Sequence, residues 1–582
     1  MTLLRSTEGT YCTSRVAAVT GRTFRPLKGL YYKVGINVRS GAPGEGVKGK
    51  LESLMKHRRV ILVALVGLIG FVSGGWFFQG ANDADTRQRA RVFEAVLRYV
   101  SEYYVDSVTT AELYDMATEG MLDQLQDPYT SFLRQAGFEE LSISTTGVYG
   151  GVGLRIDSRD GWIQVVTPIA DSPGERAGLV SGDQIIEVEG ASTHGWSTPR
   201  AANVMRGEPG TQVSITVRRA GFADSLFFTL TRAEIHVNYV EGAMMAAPGI
   251  GYLHLTSVSR ESPTELHEAI TELRAQGAES MILDLRTNPG GLLEAGVALA
   301  DFFLERGDVV VETRGRAKNA SETFIAQERE AWPDMPLVLL INGATASAAE
   351  ILTGALQDHD RAIAVGTPTF GKGVAYLLIP LTKTEAVTVT SSRWYTPSGR
   401  SIQRGLSGSR NSSIVASRAP SDPIDPQQVF RSDGGRPLEA GDGGIQPDVL
   451  LPRDTLTDGE QAFADVLGSK IPEYRNVMTR YALELKGQNA ITDPDFPVTD
   501  GMLSTILQGL RGAGVDMSDS VFYGARDLIA QQFGYELTRY VFGRPAELRR
   551  SAFEDNQIAK AIELLQAAKT TEELFALVAR ER

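Results

Sequence analysis

Two short apolar runs, each followed by a glycine-containing turn, constrain the fold of this chain more than any other feature. Residues 280–285 read SMILDL, and residues 337–341 read LVLLI. Apolar runs of about five residues are typical of strands that are buried on both faces of a sheet. A helical pattern over residues 348–357 follows the second run. This alternation of strands and helices predicts an α/β layer over residues 250–404.

Residues 147–232 contain short strands separated by glycine turns, and residues 177–185 read A-G-L-x-x-G-D-x-I. This stretch resembles a PDZ domain of the type found in bacterial proteases. The resemblance implies that a glycine-rich turn offers backbone N–H groups to a peptide's terminal carboxylate, and that the next strand accepts an extended peptide. That turn comprises Gly150, Gly151, Val152, Gly153 and Leu154. The alternative is a small β-domain whose glycines only form turns.

Residues 60–79, from Val60 to Gln79, carry no charged side chain. About 20 such residues can cross a bilayer as a helix. Basic residues precede the segment and aspartates follow it, namely Lys56, Arg58, Arg59, Asp83 and Asp85. The positive-inside rule therefore predicts a single-pass anchor in the cytoplasmic membrane, with the bulk of the chain on the outer, periplasmic or extracellular side. A cleaved signal peptide is the rival interpretation.

The charge is distributed unevenly along the chain. Residues 1–59 hold 12 Lys and Arg against 3 Asp and Glu, whereas the whole chain has 58 against 71. So acidic a body argues against nucleic-acid binding. Cys12 is the single cysteine of the sequence, so no intrachain disulfide is possible. Residues 1–54 are interpreted either as a cytoplasmic tail or as an extended reading frame, with Met55 as the alternative start.

Ser347 is the candidate nucleophile. It follows the second apolar run within NGATASAAE and stands where a helix begins. A serine at this point is exposed at a strand end and faces the positive end of the helix dipole. The alternative is an ordinary S-x-x-E capping box formed with Glu350.

Lys372 is the candidate base, within TFGKGV. Apolar surroundings disfavour an ammonium ion and lower the pKa of a lysine, so that its neutral amine can activate a serine hydroxyl. Residues 366–372 also fit the phosphate-loop pattern G-x-x-x-x-G-K. Gly373 stands where that loop needs Ser or Thr, which argues against phosphate binding.

The turn Asn288-Pro-Gly290-Gly291 is the candidate oxyanion site. Its glycine N–H groups, together with the N–H of Ala348, can stabilise a tetrahedral intermediate. The alternative is a simple strand-to-helix turn. None of the six histidines forms an H-E-x-x-H pair, and no G-x-S-x-G elbow occurs. We therefore predict neither a zinc site nor any cofactor.

These segments together resemble the C-terminal processing peptidases, also called tail-specific proteases. The resemblance rests on LDLRTNPGGLL, NGATASAAEILTGALQDHDRA, VGTPTFGKG, WYTPSGRSIQ and GIQPD, in that order. It implies that Ser347 is the nucleophile, Lys372 the base, and Gly290, Gly291 and Ala348 the oxyanion donors. The family often has a glutamine four residues after the lysine to orient it. Tyr376 stands there, and its hydroxyl is a possible substitute.

The resemblance implies a crotonase-like (Clp-protease-like) α/β core with a PDZ β-domain. We expect an N-terminal helical segment after one transmembrane helix, and a helical C-terminal extension that could support a homo-oligomer. The predicted boundaries are 1–59, 60–79, 83–146, 147–232 for the PDZ domain, 233–455 for the core with a loop insertion at 405–444, and 456–582. The expected partners are protein or peptide substrates with free C-termini. The alternative function is a membrane-anchored PDZ scaffold without activity.

Overall fold

The computed structural model describes residues 84–404, 429–439, 443–452 and 456–581. The described residues divide into two units, one ending at Val108 and the other beginning at Thr109. In the first unit, helix α1 spans Ala84–Tyr103. Among the described residues, no helix combines the length and the apolar character needed to cross a bilayer. The predicted anchor at residues 60–79 lies outside the described residues.

The second unit begins with two helices that flank a short strand. Helix α2 (Thr110–Asp123) is followed by strand β1 (Ser131–Leu133) and helix α3 (Gln135–Thr146). Thr109 caps α2, because its hydroxyl accepts the N–H of Glu112 while the Glu112 carboxylate accepts the N–H of Thr109. Such reciprocal bonds satisfy N–H groups that a helix leaves unpaired at its start.

An antiparallel sheet with the strand order β3-β4-β5-β7-β8 forms the region predicted as a PDZ domain. Its main strands are β3 (Leu154–Arg159), β4 (Trp162–Pro168), β5 (Gln184–Val188), β7 (Gln212–Arg218) and β8 (Leu226–Thr231). The smaller elements are helices α4 (Pro173–Arg176) and α5 (Thr198–Met205) and strand β6 (Ala191–Ser192), which pairs with β5. Alternating residues of β7 are buried, as a sheet with one core face requires.

Strands β2 (Val148–Gly151) and β9 (Ala233–His236) pair with each other where the chain enters and leaves this sheet. Entry and exit are therefore adjacent, so the sheet is an excursion from the rest of the unit.

The central sheet has the strand order β10-β11-β12-β15-β16-β21 and is parallel except for β10 against β11. Its strands are β10 (Val240–Ala247), β11 (Ile250–Leu255), β12 (Ser280–Asp284), β15 (Leu337–Ile341), β16 (Ile363–Gly366) and β21 (Val449–Leu450). The two apolar runs that the sequence predicts as strands are therefore neighbours in one sheet, as β12 and β15.

Helices cover both faces of the central sheet. Leu283 and Leu339 face the core built with α6 (Ser262–Ala275), α7 (Leu293–Asp301) and α8 (Ala348–Asp358). The opposite face, including Ile282 and Val338, packs on α15 (Asn556–Ala567) and α16 (Thr571–Glu581). Each fully buried Leu or Ile contributes roughly 1.5–3 kcal/mol. Helices α15 and α16 thus supply most of the helical layer on this face of the sheet.

A second, antiparallel sheet has the order β1-β18-β13-β14, with β17 paired to β18. Its remaining strands are β13 (Val309–Gly315), β14 (Glu322–Ile325), β17 (Val374–Pro380) and β18 (Ala386–Tyr395). Within the predicted loop insertion, the described part forms a short pair of strands, β19 (Phe430–Arg431) and β20 (Pro437–Leu438).

Five other C-terminal helices have a hydrophobic core of their own. They are α9 (Asp458–Leu467), α10 (Ile471–Gly487), α11 (Asp500–Gly512), α12 (Asp519–Gly524) and α13 (Arg526–Phe542), with a 3-10 turn (Gly468–Lys470) between α9 and α10. Helix α14 (Arg544–Phe553) instead contributes Ala552 to the core formed by the central sheet with α15 and α16. Helix α10 also contacts the β3–β8 sheet, because Arg480 pairs with Asp160 at 2.8 Å and Lys486 Nζ donates to the carbonyl of Ser181 at 2.7 Å.

Candidate active site

Three turns meet at the carboxyl edge of the central sheet. The turn after β12 carries Asn288 to Gly291, the turn after β15 leads to Ser347, and the segment after β16 leads to Lys372. Since β12, β15 and β16 are consecutive parallel neighbours, their carboxyl ends share one edge. Ligands of α/β sheets bind at this edge. The topology therefore brings the predicted nucleophile, base and oxyanion turn to one edge of the sheet.

Hydrogen bonds join the first two of these turns. The Thr345 hydroxyl donates to the carbonyl of Leu285 at 2.8 Å, and the N–H of Ala346 donates to the carbonyl of Asn288 at 2.9 Å. The Asn342 side-chain oxygen accepts the N–H of Thr287 at 3.0 Å. The turn that leads to Ser347 and the turn at Asn288–Gly291 are therefore held against each other by hydrogen bonds.

Ser347 lies at the N-cap of α8 with φ 55° and ψ −120°. A positive φ is costly for a residue with a Cβ, about 1–3 kcal/mol, and persists only where neighbouring contacts enforce it. Glu350 supplies one such contact, because its carboxylate accepts the N–H of Ser347 at 2.7 Å. The capping pair and the strained serine are thus two aspects of the same turn, and the capping interpretation does not compete with a catalytic role.

Glu350 is a residue that sequence reasoning treated only as a helix cap. It is fully buried, and its carboxylate accepts four hydrogen bonds. The donors are the N–H groups of Ser347, Gly371 and Lys372 and the hydroxyl of Thr369. Burial raises the pKa of Glu350, while these hydrogen bonds oppose the shift. One carboxylate therefore connects Ser347 to the loop that carries Lys372.

The side chain of Lys372 is half-buried between two aromatic rings. Its Nζ lies 4.7 Å from the ring centroid of Tyr129 and 4.7 Å from that of Tyr376. Burial lowers the pKa of Lys372, and the negative charge of Glu350 opposes that shift. Tyr376 therefore contacts the amine with its ring face. Tyr129, which follows Asp127-Pro128 in the sequence, was missed because nothing local to it indicates this long-range contact.

The predicted oxyanion donors differ in their hydrogen bonding. The N–H of Gly290 donates to the Asn288 side-chain oxygen at 2.8 Å, so it is already engaged. For the N–H groups of Gly291 and Ala348, no acceptor is found in the part of the chain that the structure describes. Gly290 has φ 85°, and a Cβ there would lie 2.7 Å from the Ala348 nitrogen and 2.8 Å from the Ser347 Cβ. Glycine is required here because the turn packs directly on the nucleophile.

The predicted peptide groove is a pocket of ≈ 50 Å³ between β3 and α5. Of the five residues predicted there, Val152, Gly153 and Leu154 line it, together with Tyr149, Ile156, Ala202, Met205 and Arg206. Gly150 and Gly151 instead belong to β2 and pair with β9.

Arg206 was not predicted at this groove. Its guanidinium lies 5.3 Å from the ring centroid of Tyr149, at the end of α5. No sequence pattern marks Arg206 as a groove residue, because a single arginine after a short helix is usually a surface residue.

Comparison with known proteins identifies three segments of the chain. The model of peptidase family S41 matches residues 249–408, a PDZ domain model matches 164–219, and the model described as the activating protease CtpB N-terminal domain matches 78–136. The first two matches fall on the region of the central sheet and on the β3–β8 sheet.

The alignments with two curated relatives span most of each relative's length. A carboxy-terminal-processing protease of Bartonella bacilliformis is 36% identical over 326 residues, which is 55% of this chain and 74% of the relative. A carboxyl-terminal-processing protease of Synechocystis is 40% identical over 293 residues, 50% of this chain and 68% of the relative. A solved photosystem II D1 C-terminal processing protease is 27% identical, with 62% of this chain and 92% of that chain covered and a TM-score of 0.31. This chain belongs to the C-terminal processing proteases of peptidase family S41, a family of serine peptidases.

Proposed function

We propose that this serine peptidase captures the C-terminus of a protein in its PDZ groove and cleaves an upstream peptide bond with a Ser347–Lys372 dyad. The observation that carries the proposal is the shared anchoring of both residues by Glu350. The N–H groups of Ser347 and Lys372 lie 2.7 and 3.0 Å from the same carboxylate oxygen. Such preorganisation is what a nucleophile and its base require.

In the proposed acylation step, the neutral Lys372 amine removes the hydroxyl proton of Ser347 while Oγ attacks the substrate carbonyl carbon. The N–H groups of Gly291 and Ala348 stabilise the resulting oxyanion, and each such donor contributes about 10²–10³-fold to the rate in comparable enzymes. The Lys372 ammonium then gives its proton to the leaving amine as the C–N bond breaks. An acyl ester remains on Ser347.

Deacylation repeats these roles with water as the nucleophile. Lys372 accepts a proton from water as its oxygen attacks the ester carbonyl, and it returns the proton to Ser347 Oγ as the ester bond breaks. The free acid is released and the neutral amine is restored. This cycle consumes one water and requires no metal or cofactor.

The PDZ groove supplies substrate selection in this proposal. Pairing with β3 would hold an extended C-terminal segment. The cation of Arg206 and the backbone near Gly153 are suited to an anionic terminus, and the small apolar pocket is suited to a terminal apolar side chain. We also propose that residues 60–79 anchor the chain in the cytoplasmic membrane, with the catalytic part outside the cytoplasm.

The alternative, a PDZ scaffold without activity, had only Tyr376 in its favour. In this structure the ring of Tyr376 lies against the lysine amine, and every residue of the proposed dyad and oxyanion site is retained. We therefore favour catalysis.

The test is mass spectrometry of an unstructured model protein after incubation with the full chain. We expect cleavage products, and an acyl adduct on Ser347 when turnover is quenched early. Ser347→Ala should lose on the order of 10³-fold or more of the activity. Ser144→Ala, on an exposed face of α3, is the matched control and should cleave normally. Cleavage by Ser347→Ala at the wild-type rate would exclude this serine as the nucleophile.

A further inference from the structure

Arg286 lies directly before the oxyanion turn and is almost fully buried. Its side chain is 6% exposed, and its partner Asp284 is 3% exposed. The Nε and Nη2 groups donate to the Asp284 carboxylate at 2.6–3.1 Å. Asp284 also accepts the hydroxyl of Tyr252 at 2.9 Å. One end of the Arg286 guanidinium is therefore held by the central sheet itself.

The other end of the guanidinium is held by the C-terminal extension. Nη1 of Arg286 donates to Asp555 Oδ2 at 2.7 Å and to Gln557 Oε1 at 2.9 Å. Gln557 is in turn fixed by its Nε2, which donates to the carbonyl of Leu451 at 2.5 Å. These residues stand at the start of α15, the helix that packs on the central sheet. Asp555 and Gln557 of the C-terminal extension thus complete the hydrogen bonding of the Arg286 guanidinium.

The two carboxylate oxygens of Asp555 have separate partners. Oδ1 accepts the N–H groups of Gln557 and Ile558 at 2.9 and 3.0 Å, which caps helix α15. Oδ2 accepts from Arg286. A cap requires only one side-chain oxygen. The second oxygen therefore has no role in the helix itself.

The backbone of Arg286 and the residue after it lead directly into the oxyanion turn. The carbonyl of Arg286 lies 3.1 Å from His254 Nε2. Thr287 has φ 59°, which is costly for a β-branched residue and has to be enforced by its neighbours. Asn288 follows, and its carbonyl accepts the N–H of Ala346, next to the nucleophile. A single residue with a positive φ, Thr287, therefore separates Arg286 from the turn that begins at Asn288.

We propose that Asp555 and Gln557 are positioning residues for catalysis: by holding Arg286, they set the Thr287–Asn288 backbone so that the N–H of Gly291 is aimed at the oxyanion. The C-terminal extension is then part of the catalytic apparatus as well as a layer of the core. This inference rests on the proposed function, because it assumes that the turn stabilises the oxyanion.

The test uses the full chain with Asp555→Ser, Gln557→Met and the double variant. Serine retains a helix cap but is too short to reach Arg286, and methionine keeps the size of Gln557 without its acceptor. We expect kcat to fall about 10-fold for each single variant and about 10²-fold for the double variant. KM should change less than about twofold, because substrate binding does not use this turn. Affinity for a peptide boronate, which mimics the tetrahedral state, should fall by the same factor as kcat.

Two controls separate positioning from stability. Thr499→Ala removes a helix cap from α11, far from Arg286 in the chain, and should lower the Tm without changing kcat. Asp555→Asn keeps one acceptor oxygen for the helix cap but places an amide donor where Oδ2 accepts from Arg286. We therefore expect it to keep the Tm of the wild type while losing about as much kcat as Asp555→Ser.

The inference is overturned if the folded double variant retains wild-type kcat and boronate affinity, or if its loss of activity equals its unfolded fraction. Ser347→Ala, measured in the same assay, distinguishes this failure from a failure of the dyad. An inactive Ser347→Ala beside a fully active double variant would reject positioning by Asp555 and Gln557 alone. An active Ser347→Ala would reject the proposed function.

Discussion

Ser347 and Lys372 donate their backbone N–H groups to one and the same oxygen, Oε2 of Glu350, at 2.7 and 3.0 Å. The other oxygen, Oε1, accepts from Thr369 and Gly371 at 2.5 and 2.7 Å. The backbones of Ser347 and Lys372, the proposed nucleophile and base, are therefore held in position by a buried third residue. Preorganisation of this kind reduces the entropic cost of bringing the two groups together in the transition state.

Glu350→Gln should damage both stability and activity. The amide nitrogen would replace one acceptor oxygen and face two N–H or O–H donors, leaving buried groups unpaired. We expect a loss of about 2–5 kcal/mol in the free energy of unfolding and at least about 10-fold in kcat. Urea unfolding and steady-state kinetics on the same preparation measure the two effects. Glu112→Gln, at the same position of an exposed capping box in α2, should change neither.

The rate should rise with pH as the Lys372 amine loses its proton. Burial lowers the pKa of Lys372, so the neutral base becomes available below the pH at which an ordinary lysine deprotonates. Lys372→Arg should be inactive at every pH, since a guanidinium does not deprotonate in proteins. A pH–rate profile of kcat/KM checks both expectations, and a flat profile over the range where the enzyme stays folded would argue against this base.

The same shift has a consequence for stability. At a pH between the lowered pKa of the folded state and the ordinary value, the unfolded chain binds more protons at this site than the folded chain. The contribution of Lys372 to stability therefore rises with pH across that window. Urea midpoints of wild type and Lys372→Met, compared at neutral and alkaline pH, should show that the wild type gains stability relative to the variant as the pH rises. A difference that stays constant would contradict the lowered pKa.

Tyr129→Ala should move the pH–rate profile to higher pH. Removing the ring lets water reach one side of the Lys372 amine, which lessens the desolvation that lowers its pKa. A shift of one pKa unit would cost about 10-fold in rate at neutral pH. Tyr129→Phe keeps the ring and should keep the profile. Because ring faces also attract ammonium ions, a shift to lower pH in Tyr129→Ala would mean that this attraction outweighs desolvation.

Filling the PDZ groove should slow cleavage of proteins that end in an apolar residue with a free carboxylate. Gly153 is unsuitable for this test, because it has φ 71° and a Cβ there would lie 2.1 Å from the Ser172 Cβ, so any substitution disturbs the turn. Ala202 lines the pocket from α5, and Ala202→Trp should occupy it. We expect kcat/KM to fall roughly 10-fold for a free C-terminus, as for the loss of a buried apolar contact, and little for an amidated one.

Asn203 is exposed on the same helix, and Asn203→Trp is therefore the matched control for Ala202→Trp. Equal rates for free and amidated substrates in the wild type would show that the groove does not read the terminal carboxylate.

Local sequence patterns predicted the α/β core and the PDZ domain, which the structure and the comparisons confirm, and they supplied the candidate chemical groups. The apolar runs at β12 and β15 predicted buried parallel strands, because a strand buried on both faces is mostly apolar. The turns that follow them carry Asn, Gly and Ser residues, so the nucleophile and the oxyanion turn could be proposed from residue types alone. The PDZ pattern and the order of the motifs led to the family.

Contacts between distant parts of the chain could be decided only by the tertiary structure. Tyr129 contacts Lys372, Glu350 joins two loops, and Asp555 contacts Arg286. None of these pairings produces a local pattern in the sequence. The engagement of the Gly290 N–H by Asn288 likewise depends on the backbone angles of one turn. The sequence therefore allowed the candidate chemical groups to be proposed, because residue type and turn propensity are local properties. Only the packing of separate elements decided which groups meet, because burial, hydrogen-bond partners and the pKa of an amine depend on what surrounds it in three dimensions.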